Sequence, residues 1–382
     1  MISEGRVSIT LSRQSGRPAM VSFQQPGDIG RVVHGKLPGE ALKILPRLYS
    51  VCGTAQGHAA ALCLEQASGI IADPQTATAR TALTAMETLR EHVLRIACDW
   101  PSYYSGEPHP AEVSEVMKLG PALKVALFGP AEPFAIAAKT MPDSDAAASI
   151  IAQATTLIQA YIFAEPPQQW LTRRGLDEIS AWAANAGTPA AQLIDMVIRR
   201  GWLSAGSIAA LPLRMPPPVK IAEWLASGDD DVILLPAADT PETTLFTRNI
   251  NTPLLASLGG DGIGARLLAR LVELARLPER LRMLVGNEIA PPLPSATVNG
   301  IGVGLVEAAR GHLIHAVSLE QGRISAYSIL PPSRWNFDAR GVAARSLSQL
   351  DASVEDDRLV QAQLLINAID PCVAHEVRFA DA

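Results

Sequence analysis

Residues 299–336 read NGIGVGLVEAARGHLIHAVSLEQGRISAYSILPPSRWN. Apolar residues alternate with small or polar ones through much of this stretch, which is the period of strands, and Gly322 stands where one run turns into the next. Within it, His312 and His315 lie three apart. On a strand that spacing sends two imidazoles to opposite faces, so a shared metal is not expected there.

Working outward, the chain opens in the same period: RVSITL and PAMVSF flank SRQSGRP, whose Gly and Pro mark an antiparallel hairpin. From about residue 53 the spacing becomes helical. GHAAALCLEQASGIIA is followed by TATARTALTAMETLREHVLRIACDW, in which Leu83, Met86, Leu89, Val93 and Ile96 recur at steps of three and four. The middle, to about residue 290, reads as largely helical. Its loops fall at PAEPF, MPPPV and LPAADTPET, and a short strand is conceivable in DDDVILLP. Residues 264–285 form an amphipathic helix that Pro278 is expected to interrupt. DDRLVQAQLLINAI reads as the last helix. The whole is an α+β chain of one unit, 1–382, with a hairpin in 1–25, a mainly helical body in 40–290, and a β segment with a final helix in 295–382. Sheet at both ends with helices between predicts that the ends meet.

The totals narrow the classes. The chain has 382 residues, 48% hydrophobic and 18% charged, which describes a well-buried globular protein. A net charge of −6 offers no basic stripe for phosphates, so no nucleic-acid partner is expected. The N-terminal residues lack the apolar core of a signal peptide, and AAASIIAQATTLIQAYIFA is interrupted by Gln and Thr; a cytoplasmic protein with no membrane partner is expected.

Several local signals are weak. GGDGIGAR (259–266) has its glycines in the wrong order for a dinucleotide loop and reads as the start of a helix. Glu91 and His92 lack a second histidine and read as a partly exposed helical pair. Cys63 and Cys98 sit on apolar helical faces and read as buried thiols. Cys52, in PRLYSVCGTAQGHAA (46–60), and Cys372, in DPCVAH (370–375), each look like half of a metal motif.

Taken together with residues 299–336, those two segments resemble the large catalytic subunit of nickel-iron hydrogenases. Its pattern R-I-C-G-x-C-P-V-A-H-G-L-A-A-x-R-A-L-E is matched by Arg47, Cys52, Gly57, Ala59, Ala60, Leu64 and Glu65, with Tyr49 in place of the first cysteine and Gln56 in place of the histidine. Its D-P-C-x-x-C-x-x-H is matched by Asp370, Pro371 and Cys372, with His375 at the second cysteine and Arg378 at the last histidine. Gly302, Gly304, Glu307, Ala308, Arg310 and Gly311 follow G-x-G-x-x-E-A-P-R-G, and Pro332, Ser333, Trp335 and Asn336 follow P-[ST]-x-W-N. Glu4-Gly5-Arg6-Val7 is similar to the family's opening E-G-H-L.

The resemblance implies a large-subunit-like fold, with a central helical body and small antiparallel β elements from both chain ends. Nickel and iron in that family share four thiolates, whereas only a bridging position (Cys52) and a terminal one (Cys372) remain here. A phenol with its ordinary pKa near 10 is a poor replacement for a thiolate, so nickel is not expected. An iron already carrying diatomic ligands needs fewer protein donors; Cys52 and Cys372, with His375 as a neutral nitrogen donor, would suffice. Arg310 and Ser333 would then surround the diatomic ligands, with Asp370 pairing Arg310 and Pro332 beside Ser333. The pattern is similar to that of the HupK and HoxV accessory proteins. It implies a non-enzymatic scaffold that transiently receives Fe(CN)2(CO) from a small maturation chaperone complex and passes it to the hydrogenase large-subunit precursor. Only FADA follows Arg378, so no C-terminal processing is expected. Two other readings are a metal-free adaptor for maturation chaperones, and a divergent hydrogenase or hydrogen sensor with Glu4 in the proton relay. The scaffold reading requires the Cys52 and Cys372 sulfurs to lie close enough to grip one iron atom, within about 7 Å of each other, with no packed side chains between them.

Overall fold

The computed structural model describes residues 5–13, 17–25, 27, 29–227, 240–286, 289–291, 293, 295–350 and 354–380. Glu4 and DDDVILLP lie outside them. Strand β1 (Arg6–Leu11) buries Val7, Ile9 and Leu11, as its alternation requires, and pairs antiparallel with β2 (Met20–Gln24), Ile9 opposite Val21.

Two helices then build the floor of the site. α1 (Gly53–Ala67) is rich in alanine and buried on most sides. α2 (Pro74–Leu94) starts at Asp73, whose carboxylate accepts the amides of Gln75 and Thr76, with Pro74 at the first helical position. Thr78, Thr81, Thr84 and Thr88 are buried without cost to the ladder because each hydroxyl donates to the carbonyl four residues back, as Thr84 does to Arg80 and Thr88 to Thr84. Glu91 and His92 are both buried rather than partly exposed, because α2 is covered on nearly every face. After α3 (Pro110–Phe128) and α4 (Ser144–Ile158), the chain reaches α5 (Ile263–Val285), which packs against α2 and α4.

α5 departs from expectation in two ways. It begins at GGDGIGAR as foreseen, but it runs unbroken through Pro278, because burial of Leu274, Leu277 and Leu281 around the proline offsets the missing hydrogen bond. Its polar side is not solvated either: Arg266, Arg270 and Glu273 are buried and pair with Glu242, Asp370 and Arg248.

Residues 295–330 fold as read, into β3 (Ser295–Val298), β4 (Ile301–Ala308), β5 (Gly311–Glu320) and β6 (Arg323–Leu330), antiparallel in that order. Gln321 and Gly322, both at positive φ, form the β5–β6 turn. α1 lies directly on β4 at its two glycines. A Cβ on Gly302 would sit 2.1 Å from the Cys63 carbonyl oxygen, and one on Gly304 would sit 2.7 Å from the Cys63 amide nitrogen. The G-x-G spacing therefore sets the depth at which α1 is seated.

The last helix, α6 (Glu355–Ile369), is followed by a strand that the reading missed, β7 (Ala374–Phe379). Its residues are largely exposed, so it carries no alternation to betray it. β7 pairs parallel with β1, Arg6 opposite Ala374, giving the sheet order β2-β1-β7. The chain ends do meet, in a mixed rather than purely antiparallel sheet.

Candidate functional site

Cys52 is the N-cap residue of α1. The helix start is fixed from α2: Glu87 accepts the amides of Thr54 (2.7 Å) and Ala55 (3.0 Å), and Arg90 donates to the Val51 carbonyl (2.8 Å). Cys372 is positioned from the other end of the chain. Asp370 closes α6 at φ 68°, a left-handed conformation that aspartate tolerates, and this turn delivers Pro371 and Cys372. Ser333, 1% exposed on the single helical turn Pro332–Asn336, places its Oγ 3.0 Å from the Cys372 sulfur. Asn336 anchors that turn by exchanging bonds with the Thr243 backbone at 2.9 and 2.8 Å. Pro332 is buried and starts the turn, without itself lining the space described next.

Both sulfurs border one cavity of about 840 Å³, whose wall also includes Tyr49, Gln56, Arg310 and Arg95. Among the described residues its charged lining is Arg47, Arg95 and Arg310, with no carboxylate. Arg310, from the β4–β5 turn, is 3% exposed; its Nε donates to Asp370 (3.1 Å) and its Nη2 to Glu91 (3.1 Å). Its buried Nη1 has no partner among the described residues. The guanidinium thus presents an unspent donor in a wall it shares with two thiols.

The electrostatics follow from burial and three arginines. Burial alone would raise the Asp370 carboxyl, but Arg310, Arg95 and Arg270 more than offset it and hold the group far below its ordinary range. Arg310 is kept charged by Asp370 and Glu91 against the penalty of its own burial. Burial pushes the Cys52 thiol up, as do the Cys372 and Glu87 charges, with Arg310 and a Gln56 hydrogen bond opposing. Cys372 is raised by burial and eased down by Ser333 and Arg310. Tyr49 stays a neutral phenol, pushed up by burial and then by both cysteines.

The sequence candidates divide accordingly. Cys52, Cys372, Arg310, Ser333 and Asp370 come together. His375 does not: it is exposed on β7, opposite Val7, and is absent from the cavity wall, so its placement gives the nitrogen-donor expectation no support. No group of three or more His, Cys, Asp or Glu among the described residues is arranged to hold a metal ion. Cys63 is buried as expected, whereas Cys98 is exposed, because it sits in the wider π-helical turn Arg95–Asp99 that ends α2.

Three participants escaped the sequence reading. Arg95, on that π turn, holds Asp370 at 2.9 Å and Asp99 at 2.6 Å. Glu91 was set aside with His92. Gln56 was noted only as a replacement; it spans from His315 Nε2 (2.8 Å) to the Cys52 sulfur (3.8 Å). The alanine and threonine content of α1 and α2, which marks closely packed helices, was the available signal for Glu91.

Residues 280–378 match the family described as nickel-dependent hydrogenase. The chain is 28% identical to the hydrogenase expression/formation protein HupV of Azotobacter chroococcum, with 99% of each chain covered. It is also 28% identical to the hydrogenase expression/formation protein HoxV of Cupriavidus necator, covering 97% of this chain and 96% of that one. Among solved structures, the Ni-Fe-Se hydrogenase of D. vulgaris Hildenborough superposes with a TM-score of 0.62 at 17% identity, covering 93% of both chains. The fold is that of the hydrogenase large subunit, and the full-length relatives are hydrogenase expression/formation proteins.

Proposed function

We propose that this large-subunit-like chain is an accessory scaffold of nickel-iron hydrogenase maturation, which holds Fe(CN)2(CO) as cargo between Cys52 and Cys372. Expression/formation relatives along nearly its whole length support the maturation role. One observation carries the finer reading: two cysteines and buried Arg310, whose Nη1 has no partner among the described residues, line a single cavity whose charged lining among those residues is all positive. Two thiolates bound to a dicyanide iron make an anionic assembly, and such a wall complements it. Ser333 supplies a further hydroxyl beside Cys372. The chain turns over no hydrogen, because Tyr49 stands as a neutral phenol where the resemblance would require a nickel thiolate. The cargo comes from a small maturation chaperone complex and leaves for the large-subunit precursor, in the cytoplasm.

The test is infrared spectroscopy and metal analysis after anaerobic purification from a host carrying the maturation genes. Cyanide and carbonyl bands with iron and no nickel are expected. One nickel per chain with hydrogen uptake would overturn the reading in favour of an enzyme, and absence of bands under every loading condition would leave a metal-free adaptor.

A further inference from the structure

Behind Cys52 lies a line of buried polar groups that cargo binding does not require. Tyr327, His315 and Gln56 are 5%, 0% and 2% exposed. The Tyr327 hydroxyl lies 2.7 Å from His315 Nδ1, and His315 Nε2 lies 2.8 Å from Gln56 Oε1. An amide oxygen only accepts, so Nε2 carries the proton and Nδ1 accepts from the tyrosine. His315 is neutral, since burial holds its pKa down to about 3. With its oxygen taken, the Gln56 amide is fixed with its nitrogen toward the Cys52 sulfur, 3.8 Å away. The three side chains come from β6, β5 and α1, so the amide cannot flip without breaking a buried bond.

We infer that Gln56 is a positioning residue for cargo release: oriented by His315 and Tyr327, its amide N–H donates to the Cys52 sulfur and weakens that sulfur as a donor to iron. The inference rests on the proposed cargo role. An N–H donor draws density from sulfur, so less reaches the iron and less is returned to the carbonyl ligand. The hydrogen bond therefore loosens the Cys52–iron bond relative to an unassisted thiolate, as a site built to give up its cargo requires. The arrangement distinguishes the two sulfurs, because Cys372 meets the Ser333 hydroxyl and no such anchored line.

The experiment compares Gln56→Met, of similar length but without a donor, with the Gln56→Met/His315→Phe double variant, which removes the imidazole N–H that the single change would leave unpaired. Both are purified anaerobically with the maturation genes, and the carbonyl stretch is recorded. The expected result is a carbonyl band moved to lower wavenumber in both variants, and slower loss of the bands when loaded protein is mixed with apo large-subunit precursor. In the cargo-free wild-type protein, nitrogen-15 spectra of the imidazoles should show His315 as the Nε2–H tautomer. Loss of fold would abolish bands rather than shift them. An unshifted band and unchanged release in both variants, with wild-type bands present, would overturn the Gln56 assignment alone. A His315 protonated at Nδ1 would overturn it as well. No bands in the wild-type protein would overturn the cargo reading and this inference with it.

Discussion

Arg310 donates from Nε to Asp370 and from Nη2 to Glu91, each at 3.1 Å. One guanidinium thereby ties the β4–β5 turn to the end of α6 and to α2, while its buried Nη1 has no partner among the described residues. The same ion network that joins three distant segments also fixes the guanidinium that shares a cavity wall with Cys52 and Cys372.

Asp370→Asn should therefore damage the fold and not only the site. The carboxylate is 1% exposed and pairs with Arg310, Arg95 (2.9 Å) and Arg270 (3.4 Å), of which Arg310 and Arg95 also meet Glu91 and Asp99. Removing it leaves buried positive charge uncompensated, at a cost of about 3–5 kcal/mol. Urea unfolding should show a lower midpoint with an unchanged slope. A loss under about 1 kcal/mol would mean that the arginines find other partners or water.

The seating of α1 on β4 makes a second prediction. Gly304→Ala brings a Cβ to 2.6 Å from Leu62 Cβ and 2.8 Å from the Ala59 carbonyl oxygen, neither of which is a flexible chain end. Destabilisation of about 1–3 kcal/mol is expected from this overpacking. α1 must shift, and Cys52 at its first turn shifts with it, so cargo bands should weaken together with stability. Gly39→Ala, in the short helix Pro38–Ile44 with no heavy atom beyond its own helix and chain neighbours within 4 Å of the added carbon, should instead stabilise by up to about 1 kcal/mol. Thermal unfolding of the two variants checks the contrast.

Much of the fold was legible because its signals are local. The alternation in 299–330 and Gly322 at a turn each follow from a few neighbouring residues. Cys52, Cys372, Arg310 and Ser333 stand out as candidates only through motif register, not through any property of the single residues. What stayed hidden is long-range. β7 exists because β1 offers it an edge, and its own residues are too exposed to alternate. His375 sat in register with a lost ligand, yet strand pairing carries it away from the cavity wall. Glu91 and Arg95 acquire their roles only when Asp370 and Arg310 arrive from the far end of the chain.

Buried neutral histidines predict loss of stability in mild acid. His58 and His315 are held down to about 3 by burial, and His92 is lowered for the same first reason. Unfolded, each would take up a proton near its ordinary value of about 6.5. The unfolded state then binds more protons than the folded one, so stability is intact above about 6.5 and falls as pH drops toward 3. The slope is at most about 1.4 kcal/mol per pH unit for each histidine. Denaturation should be followed between about pH 6.5 and 5, above the ordinary carboxylate range. His58→Gln, which keeps a polar group near the Thr84 hydroxyl, should flatten the slope; an unchanged slope would remove His58 from the account.

The cysteines supply the sharpest separation between site and scaffold. Cys52 and Cys372 border the cavity, whereas Cys63, only eleven positions from Cys52 and fully buried, has the Ala60 carbonyl 3.3 Å and the Tyr327 hydroxyl 3.7 Å from its sulfur as acceptors for its single S–H. Cys52→Ala or Cys372→Ala halves the sulfur donors and should abolish the iron, cyanide and carbonyl signals. Unfolding midpoints should change little, since both thiols lie at a cavity wall rather than in packed core. Cys63→Ala should do the reverse: signals retained, stability lowered by about 1 kcal/mol through the lost sulfur volume. Infrared spectra and urea titrations on the three variants check both halves. Equal loss of signal in all three would show that the bands report the integrity of the α1–β sheet packing, and the two-sulfur assignment would fail.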